Sequence, residues 1–167
     1  FHAIEAGKVK AVWIIATNPL VSMPDADQVR RALDQCELVV VSDISAQSDT
    51  NAHAHVLLPA LGWGEKDGTV TNSERRISRQ RAFLPAPGEA RADWQVLCEV
   101  ATRMGYAGFD FTSPQAIFDE HARLSTFRNA AETARLFNLA GLDKLEAAQY
   151  DALAPQQWPQ GQARLFG

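Results

Sequence analysis

Three short runs of apolar, mostly β-branched residues constrain this chain more than any other feature. They lie at residues 9–16, 37–42 and 55–58. Apolar side chains in them do not alternate with polar ones, as they would in a strand wetted on one side. Each run therefore predicts a strand buried on both faces. Thr17-Asn18-Pro19 breaks the first run, and Pro59 stops the third. Between the first two, Pro24-Asp25 opens a helix with acidic residues in its first turn, running to about Gln35. The polar stretch from Ser45 to Asn51 predicts a loop with a helical turn. Strand, helix, strand, turn, strand is the pattern of an α/β fold built on a parallel sheet with right-handed crossovers. Ligands of such sheets bind beyond the carboxyl ends of the strands. Asn18, Ser42 and Asp43 fall at those ends.

The second half follows a different pattern. Gly68 to Asn72 is an extended segment entered through a glycine turn. Four arginines follow within seven residues: Arg75, Arg76, Arg79 and Arg81. Pro85 and Pro87-Gly88 close the segment. Residues 93–104 form an amphipathic helix with Trp94, Leu97, Cys98 and Ala101 on one face, stopped by Gly105. Ser113-Pro114 reads as an N-cap with proline at the first helical position, and that helix runs to about Leu124. Two more short helices are expected before Tyr150.

Composition excludes several classes. The 167 residues suit one domain. With 46% apolar and 22% charged residues the chain is globular. A net charge of -4 argues against a generally basic nucleic-acid binder, although a local basic patch is compatible with it. No apolar run reaches the ~20 residues needed to span a bilayer. Two cysteines, Cys36 and Cys98, rule out a disulfide framework, a CxxC redox pair and a thiolate cage for an iron–sulfur cluster. The chain opens on Phe1 with no signal-peptide pattern and ends without a cap, so it reads as one α/β domain cut from a longer protein. The expected subdivision is a core at about 8–108, a helical extension at about 113–150 and a tail at 151–167.

Few side chains carry an unambiguous chemical signal. His53 and His55 share a strand face, a spacing metal sites use, yet no third ligand stands at a matching distance, so sheet-edge histidines are the simpler reading. Neither GxGxxG nor GxxxxGK[ST] occurs. Ser42-Asp43 has no histidine nearby for a triad. Cys98 and Cys36 read as packing residues rather than nucleophiles. Asp43 has two readings. A carboxylate at a strand end can accept from the N1–H and exocyclic amine of guanine, or it can cap the next turn through backbone N–H groups. Lys66 can reach a phosphate or ribose, or be a solvated loop charge. The arginines can line an anion path or decorate a surface strand.

These residues also carry a likeness. Ala16-Thr17-Asn18-Pro19, Val39-Val40-Val41-Ser42-Asp43, Ala54-His55-Val56-Leu57-Leu58-Pro59-Ala60, the stretch from Gly62-Trp63-Gly64-Glu65-Lys66 to Arg75-Arg76, and Ala86-Pro87-Gly88-Glu89-Ala90-Arg91-Ala92-Asp93-Trp94 occur in that order. The order resembles that of molybdopterin oxidoreductases of the DMSO reductase family, in particular the catalytic subunits of bacterial nitrate reductases. The tail from Tyr150 to Pro159 resembles the assimilatory, cytoplasmic branch. The resemblance implies the third, Rossmann-like domain of a large subunit: a parallel sheet flanked by helices, with a helical C-terminal portion. It implies that this domain binds one of two molybdopterin guanine dinucleotides that hold molybdenum, and that a 4Fe-4S cluster has its ligands elsewhere in the parent. Carried over residue by residue, it implies cofactor contacts at Asn18, Ser42, Asp43, Lys66 and Asp93, with no catalytic or metal-binding residue in this segment. Implied partners are the remaining domains of the large subunit, an electron donor and nitrate, with neither nucleic acid nor membrane. The alternatives are the same domain of another member, such as formate dehydrogenase, and a non-catalytic α/β docking module that uses the arginine strand.

Overall fold

The computed structural model describes residues 1–129 and 135–160. Two compact units divide the chain. Residues 1–63 and 85–97 form the first, and residues 64–84 and 98–167 the second. Residues 64–84 cluster with the C-terminal part.

The first unit is built on the three apolar runs. They form β1 (Ala11–Ile15), β2 (Leu38–Asp43) and β3 (Val56–Pro59), paired in parallel in the order β1-β2-β3. The register sets Val12 beside Val39, Ile14 beside Val41, and Asp43 beside Pro59. Strand alternation then puts Val12, Ile14, Val39 and Val41 on one face. That face packs against Val29, Ala32 and Leu33 of helix α3 (Ala26–Gln35) and against Ile4 of the short helix α1 (His2–Glu5). Asp25 starts α3 by accepting a hydrogen bond from the Gln28 N–H at 2.9 Å. Cys36 is buried at the end of α3 among these apolar side chains, which agrees with its reading as a packing residue. Burial on both faces, expected for all three strands, is met only in part: on the helix-covered face Ile14, Val39 and Val41 are buried, but Leu57, beside Val41, is 45% exposed. Leu38 and Val56 point the other way and are each 42% exposed. Among the described residues the sheet has three strands, so β3 lies at its edge, met on the side away from β2 by Arg91 at its end.

In the second unit, β4 (Gly68–Thr71) and β5 (Arg76–Gln80) pair antiparallel as a hairpin. Asn72 shapes its turn: the side-chain oxygen accepts from the N–H groups of Glu74 at 3.0 Å and Arg76 at 3.1 Å. Arg75 takes the left-handed conformation there, with φ +62°. A two-residue strand, β6 (Gln156–Gln157), adds to β5. The sequence marks residues 68–72 as extended and allows a surface strand at the arginines, but does not signal that the two pair antiparallel. Its core joins Ile77 of β5 to Phe118 and Ala122 of helix α5 (Pro114–Thr126), with Leu139, Tyr150 and Leu153. Ser113 caps α5 as expected, accepting from the Ala116 N–H at 3.2 Å.

Helix α4 (Asp93–Arg103) forms where predicted, and Gly105 at φ +85° ends it. Its apolar face is not a core, however: no residue of α4 is buried, and Leu97 is 40% exposed. Amphipathic spacing fixes which side chains share a face but not what covers them. Of the two short helices expected before Tyr150, the described residues show α6 (Ala147–Asp151), while residues 130–134 lie outside the described part. A further four-residue helix, α2 (Pro19–Ser22), follows β1.

Candidate functional site

The carboxyl ends of the parallel strands gather four of the five expected residues within the first unit. Ala16 closes β1 in the left-handed conformation, φ +56°, while its N–H continues the sheet by donating to the Ser42 carbonyl at 3.1 Å. A non-glycine residue held there costs on the order of 1–3 kcal/mol, and such positions cluster at functional sites. Asn18 follows at the start of α2. It makes no capping bond with its side chain. Instead its Oδ1 accepts from the buried Thr50 hydroxyl at 2.6 Å, and its Nδ2 donates toward Asp49 at 3.5 Å. The loop after β1 is thus tied to the loop after β2.

Asp43 organises that second loop. Its Oδ1 accepts from the Ser45 N–H at 3.1 Å and its Oδ2 from the Ser48 hydroxyl at 2.9 Å. The turn-capping reading is therefore realised in the structure. It does not exhaust the carboxylate, which offers about four acceptor positions. Ser42, one residue earlier, is 5% exposed, and its Oγ accepts from the Trp13 indole N–H at 2.9 Å. The hydroxyl hydrogen is left to donate. Asn51, also 5% exposed, donates to the Ser45 carbonyl, while its Oδ1 has no partner among the described residues.

Asp93 reaches the same edge through the backbone. The Ala60 N–H donates to the Asp43 carbonyl at 3.0 Å. Arg91 runs parallel to the end of β3, giving its N–H to Pro59 and taking one from Leu61. Two residues later Asp93 opens α4, where a carboxylate also complements the helix dipole. Lys66 belongs to the second unit, in the turn between the single helical turn Trp63–Glu65 and β4.

A half-open cleft of about 170 Å³ lies at this edge, lined by Asp43, Ile44, Ser45, Leu57, Leu58 and Pro59. Its walls are mostly apolar, and Ile44 and Leu57 are 71% and 45% exposed. One carboxylate among apolar walls suits a flat, partly polar guest with donors on one edge. Sequence reasoning missed Ile44 and Leu57 as walls, and Ser48, Asp49, Thr50 and Asn51 as supports. The signal for the supports was there: short polar side chains in a run bond each other and nearby backbone.

Other candidates resolve into structural roles. His53 Nδ1 lies 2.6 Å from Asp34 Oδ1, and His55 Nδ1 accepts from the Val39 N–H at 2.9 Å. Among the described residues no group of three histidine, cysteine or acidic side chains could hold a metal, and no helix is long and apolar enough to cross a membrane. The arginine run is largely engaged within its own unit. Arg79 is buried against acidic partners, Arg76 pairs with Glu74 at 3.4 Å, and Arg81 donates to the Asp151 carbonyl.

Comparison with known proteins gives concordant matches. A family model described as molybdopterin oxidoreductase matches residues 1–103. A nitrate reductase of Klebsiella oxytoca is 53% identical over 160 residues, and one of Shewanella frigidimarina is 51% identical over 167 residues. These matches cover 95% and 100% of this chain, which spans 18% of the length of either relative. The alpha subunit of an F420-dependent formate dehydrogenase from Methanococcus maripaludis is 39% identical over 119 residues, covering 71% of this chain and 18% of its own. Among solved structures, acetylene hydratase from Pelobacter acetylenicus superposes with a TM-score of 0.66 at 20% identity, over 94% of this chain and 20% of that one. That likeness supports the α/β fold.

Proposed function

The chain belongs to the molybdopterin oxidoreductase family, and from that premise we propose that it holds the guanosine end of one molybdopterin guanine dinucleotide within a longer, assimilatory nitrate reductase. The observation that carries this reading is Asp43. It stands at the carboxyl end of β2 on the rim of an apolar cleft, with about half of its acceptor positions taken internally. The remaining positions complement the two adjacent N–H donors of guanine, and Ile44 and Leu57 offer apolar surface to the ring faces. Ser42, buried beneath, fixes the strand end. Asn18 stiffens the opposite loop through Thr50. Asp93 contributes a second carboxylate at the same edge, suited to sugar hydroxyls.

This segment binds and orients; the bound group supplies two-electron reduction chemistry at molybdenum, by which nitrate becomes nitrite. The 4Fe-4S cluster, the metal ligand and the remaining cofactor contacts belong in this reading to other domains of the parent, which also meet an electron donor in the cytoplasm. The nitrate assignment is supported by relatives that match 95% or more of this chain at over 50% identity. A second reading, formate dehydrogenase, is favoured by the 39% match to such an enzyme, which leaves more of the chain uncovered.

The full-length protein tests both levels. Acid release should yield guanine nucleotide in step with molybdenum, and a reduced artificial donor should be oxidised by nitrate. Molybdenum without guanine nucleotide refutes the dinucleotide assignment. Turnover of formate in place of nitrate transfers the substrate to the second reading.

A further inference from the structure

The core of the first unit lies on one side of its sheet. The second face carries Trp13 of β1, Leu38 and Val40 of β2, and Val56 and Leu58 of β3. These apolar side chains are contiguous, since the register sets Trp13 beside Val40 and Val40 beside Val56. None of the five is buried, and none belongs to the core that α1 and α3 form on the other face.

The outer edge of β1 is open as well. In a parallel ladder a strand turns the main-chain groups of alternate residues to opposite sides. The Leu38 N–H donates to the Lys10 carbonyl at 3.0 Å and the Ala16 N–H to the Ser42 carbonyl at 3.1 Å, so the even-numbered residues of β1 face β2. Ala11, Trp13 and Ile15 turn their N–H and C=O groups the other way, where no strand pairs with them among the described residues. Charges, prolines and bulges are the devices that keep an exposed edge from pairing. The strand Ala11–Ile15 holds neither charge nor proline, and its register with β2 runs without a bulge.

One occupant accounts for both features. The succession β1, α3, β2 is a βαβ unit, and such crossovers are right-handed. Going from β1 to β2, that hand places α3 on the face of Val12 and Ile14. Going outward from β1, away from β2, the same hand places a connecting helix on the opposite face, that of Trp13 and Val40. Parallel sheets are covered on both faces. This chain spans 18% of the length of the nitrate reductases it matches, so a parent of that size has ample chain to supply the cover. We propose that a strand–helix segment of the parent, outside these 167 residues, completes the unit. Its strand pairs in parallel with β1 along Ala11, Trp13 and Ile15. The apolar stripe of its helix packs on Trp13, Val40 and their neighbours. A second copy of this chain fits less well: pairing β1 to β1 about a two-fold axis runs antiparallel and brings no helix to the second face. With the segment in place the crossovers reverse direction at β1, and doubly wound sheets bind ligands in the crevice at such a reversal. Ala16 and Asn18 then form one wall of that crevice and the parent supplies the other. The pairing itself does not rest on the cofactor proposed above.

Two measurements on the full-length protein test the two contacts. The first is hydrogen exchange resolved to single residues, comparing the amides of Trp13 and Ile15 with those of Val12 and Ile14. An amide on an open edge exchanges without unfolding, whereas one inside a sheet waits for the unit to open, a difference of roughly a thousandfold or more. With the added strand, Trp13 and Ile15 should exchange within about tenfold of Val12 and Ile14. The second is a photo-reactive benzophenone side chain in place of Leu38, which is 42% exposed on the second face, with cross-linked peptides mapped by mass spectrometry. Cross-links should fall in the parent outside these 167 residues, in a stretch whose apolar residues recur at helical spacing. Exchange at Trp13 and Ile15 a thousandfold faster than at their neighbours overturns the proposal even if the cross-links fall outside, because the sheet then ends at β1. Cross-links confined to this chain's own residues overturn it, since the chain then closes its own second face. Cross-links to a second molecule, or none at all, overturn it too. The same replacement at Val56 repeats the test should the one at Leu38 not fold.

Discussion

Replacing Asp43 by asparagine separates the two jobs that its carboxylate holds. Inside the chain it accepts from the Ser45 N–H at 3.1 Å and from the Ser48 hydroxyl at 2.9 Å. Toward a ligand it offers its remaining acceptor positions and its charge. Asparagine serves well in a turn that accepts from a backbone N–H two residues on, so the loop should survive, at a cost of about 1 kcal/mol for the weakened Ser48 bond. Guanine would instead meet an amide donor where it needs an acceptor. Hydrogen bonds to a charged acceptor are worth about 1.5–3 kcal/mol, which is roughly tenfold to a hundredfold in dinucleotide retention. Ser48→Ala is the matched control. It removes the same internal bond and leaves the carboxylate intact, so it should cost about 1 kcal/mol of stability with retention nearly unchanged. Asp43→Ala should lose both the loop and the ligand. The assay pairs a thermal melt with the guanine nucleotide content of the full-length protein after dialysis. Full retention in Asp43→Asn would refute the reasoning and leave Asp43 as a turn cap alone. Equal loss of cofactor in Ser48→Ala would refute it too, because loop integrity would then explain everything.

Three further substitutions probe the packing. Tyr150 is buried with its hydroxyl unpartnered among the described residues, so Tyr150→Phe should be neutral or stabilising by up to about 1 kcal/mol in urea unfolding. Burial also pushes the Tyr150 phenol up, against the opposing pull of Arg79. A raised folded-state pKa means stability that is complete below the ordinary tyrosine value of about 10 and falls as pH rises beyond it. The same unfolding series from neutral to alkaline pH should therefore show a decline in the parent that is shallower in Tyr150→Phe. Trp13→Phe removes the indole N–H that meets Ser42, and a chemical melt should register a loss of about 1–2 kcal/mol; no loss would mean that Ser42 finds another donor. Leu33→Ala, at a side chain 1% exposed between α3 and the sheet, should cost about 2–5 kcal/mol, and a smaller shift would mean that the core there collapses readily.

Local chemistry in the sequence was enough to locate β1, β2, β3, α3, α4 and α5, because each depends on a run, a cap or a breaker read within a few residues. Unalternating apolar strands at residues 11–15 and 38–43 imply a parallel sheet, and such a sheet binds at its carboxyl ends; Asn18, Ser42 and Asp43 were legible from that rule alone. For Lys66 and Asp93 only the resemblance favoured a cofactor role, since nothing in their own spacing separates them from an ordinary loop charge or helix start. Tertiary structure decided what those side chains touch. Only the fold sets Thr50 against Asn18 across 32 residues of chain, or Asp151 against Arg79 across 72. The arginine run shows the limit most clearly. Spacing presented four similar cations, and long-range contacts made Arg79 a buried clamp while Arg76 stayed at the surface beside Glu74. Hydrophobic pattern is a property of neighbours in sequence, whereas the partner of a buried charge is whatever the chain's return brings beside it.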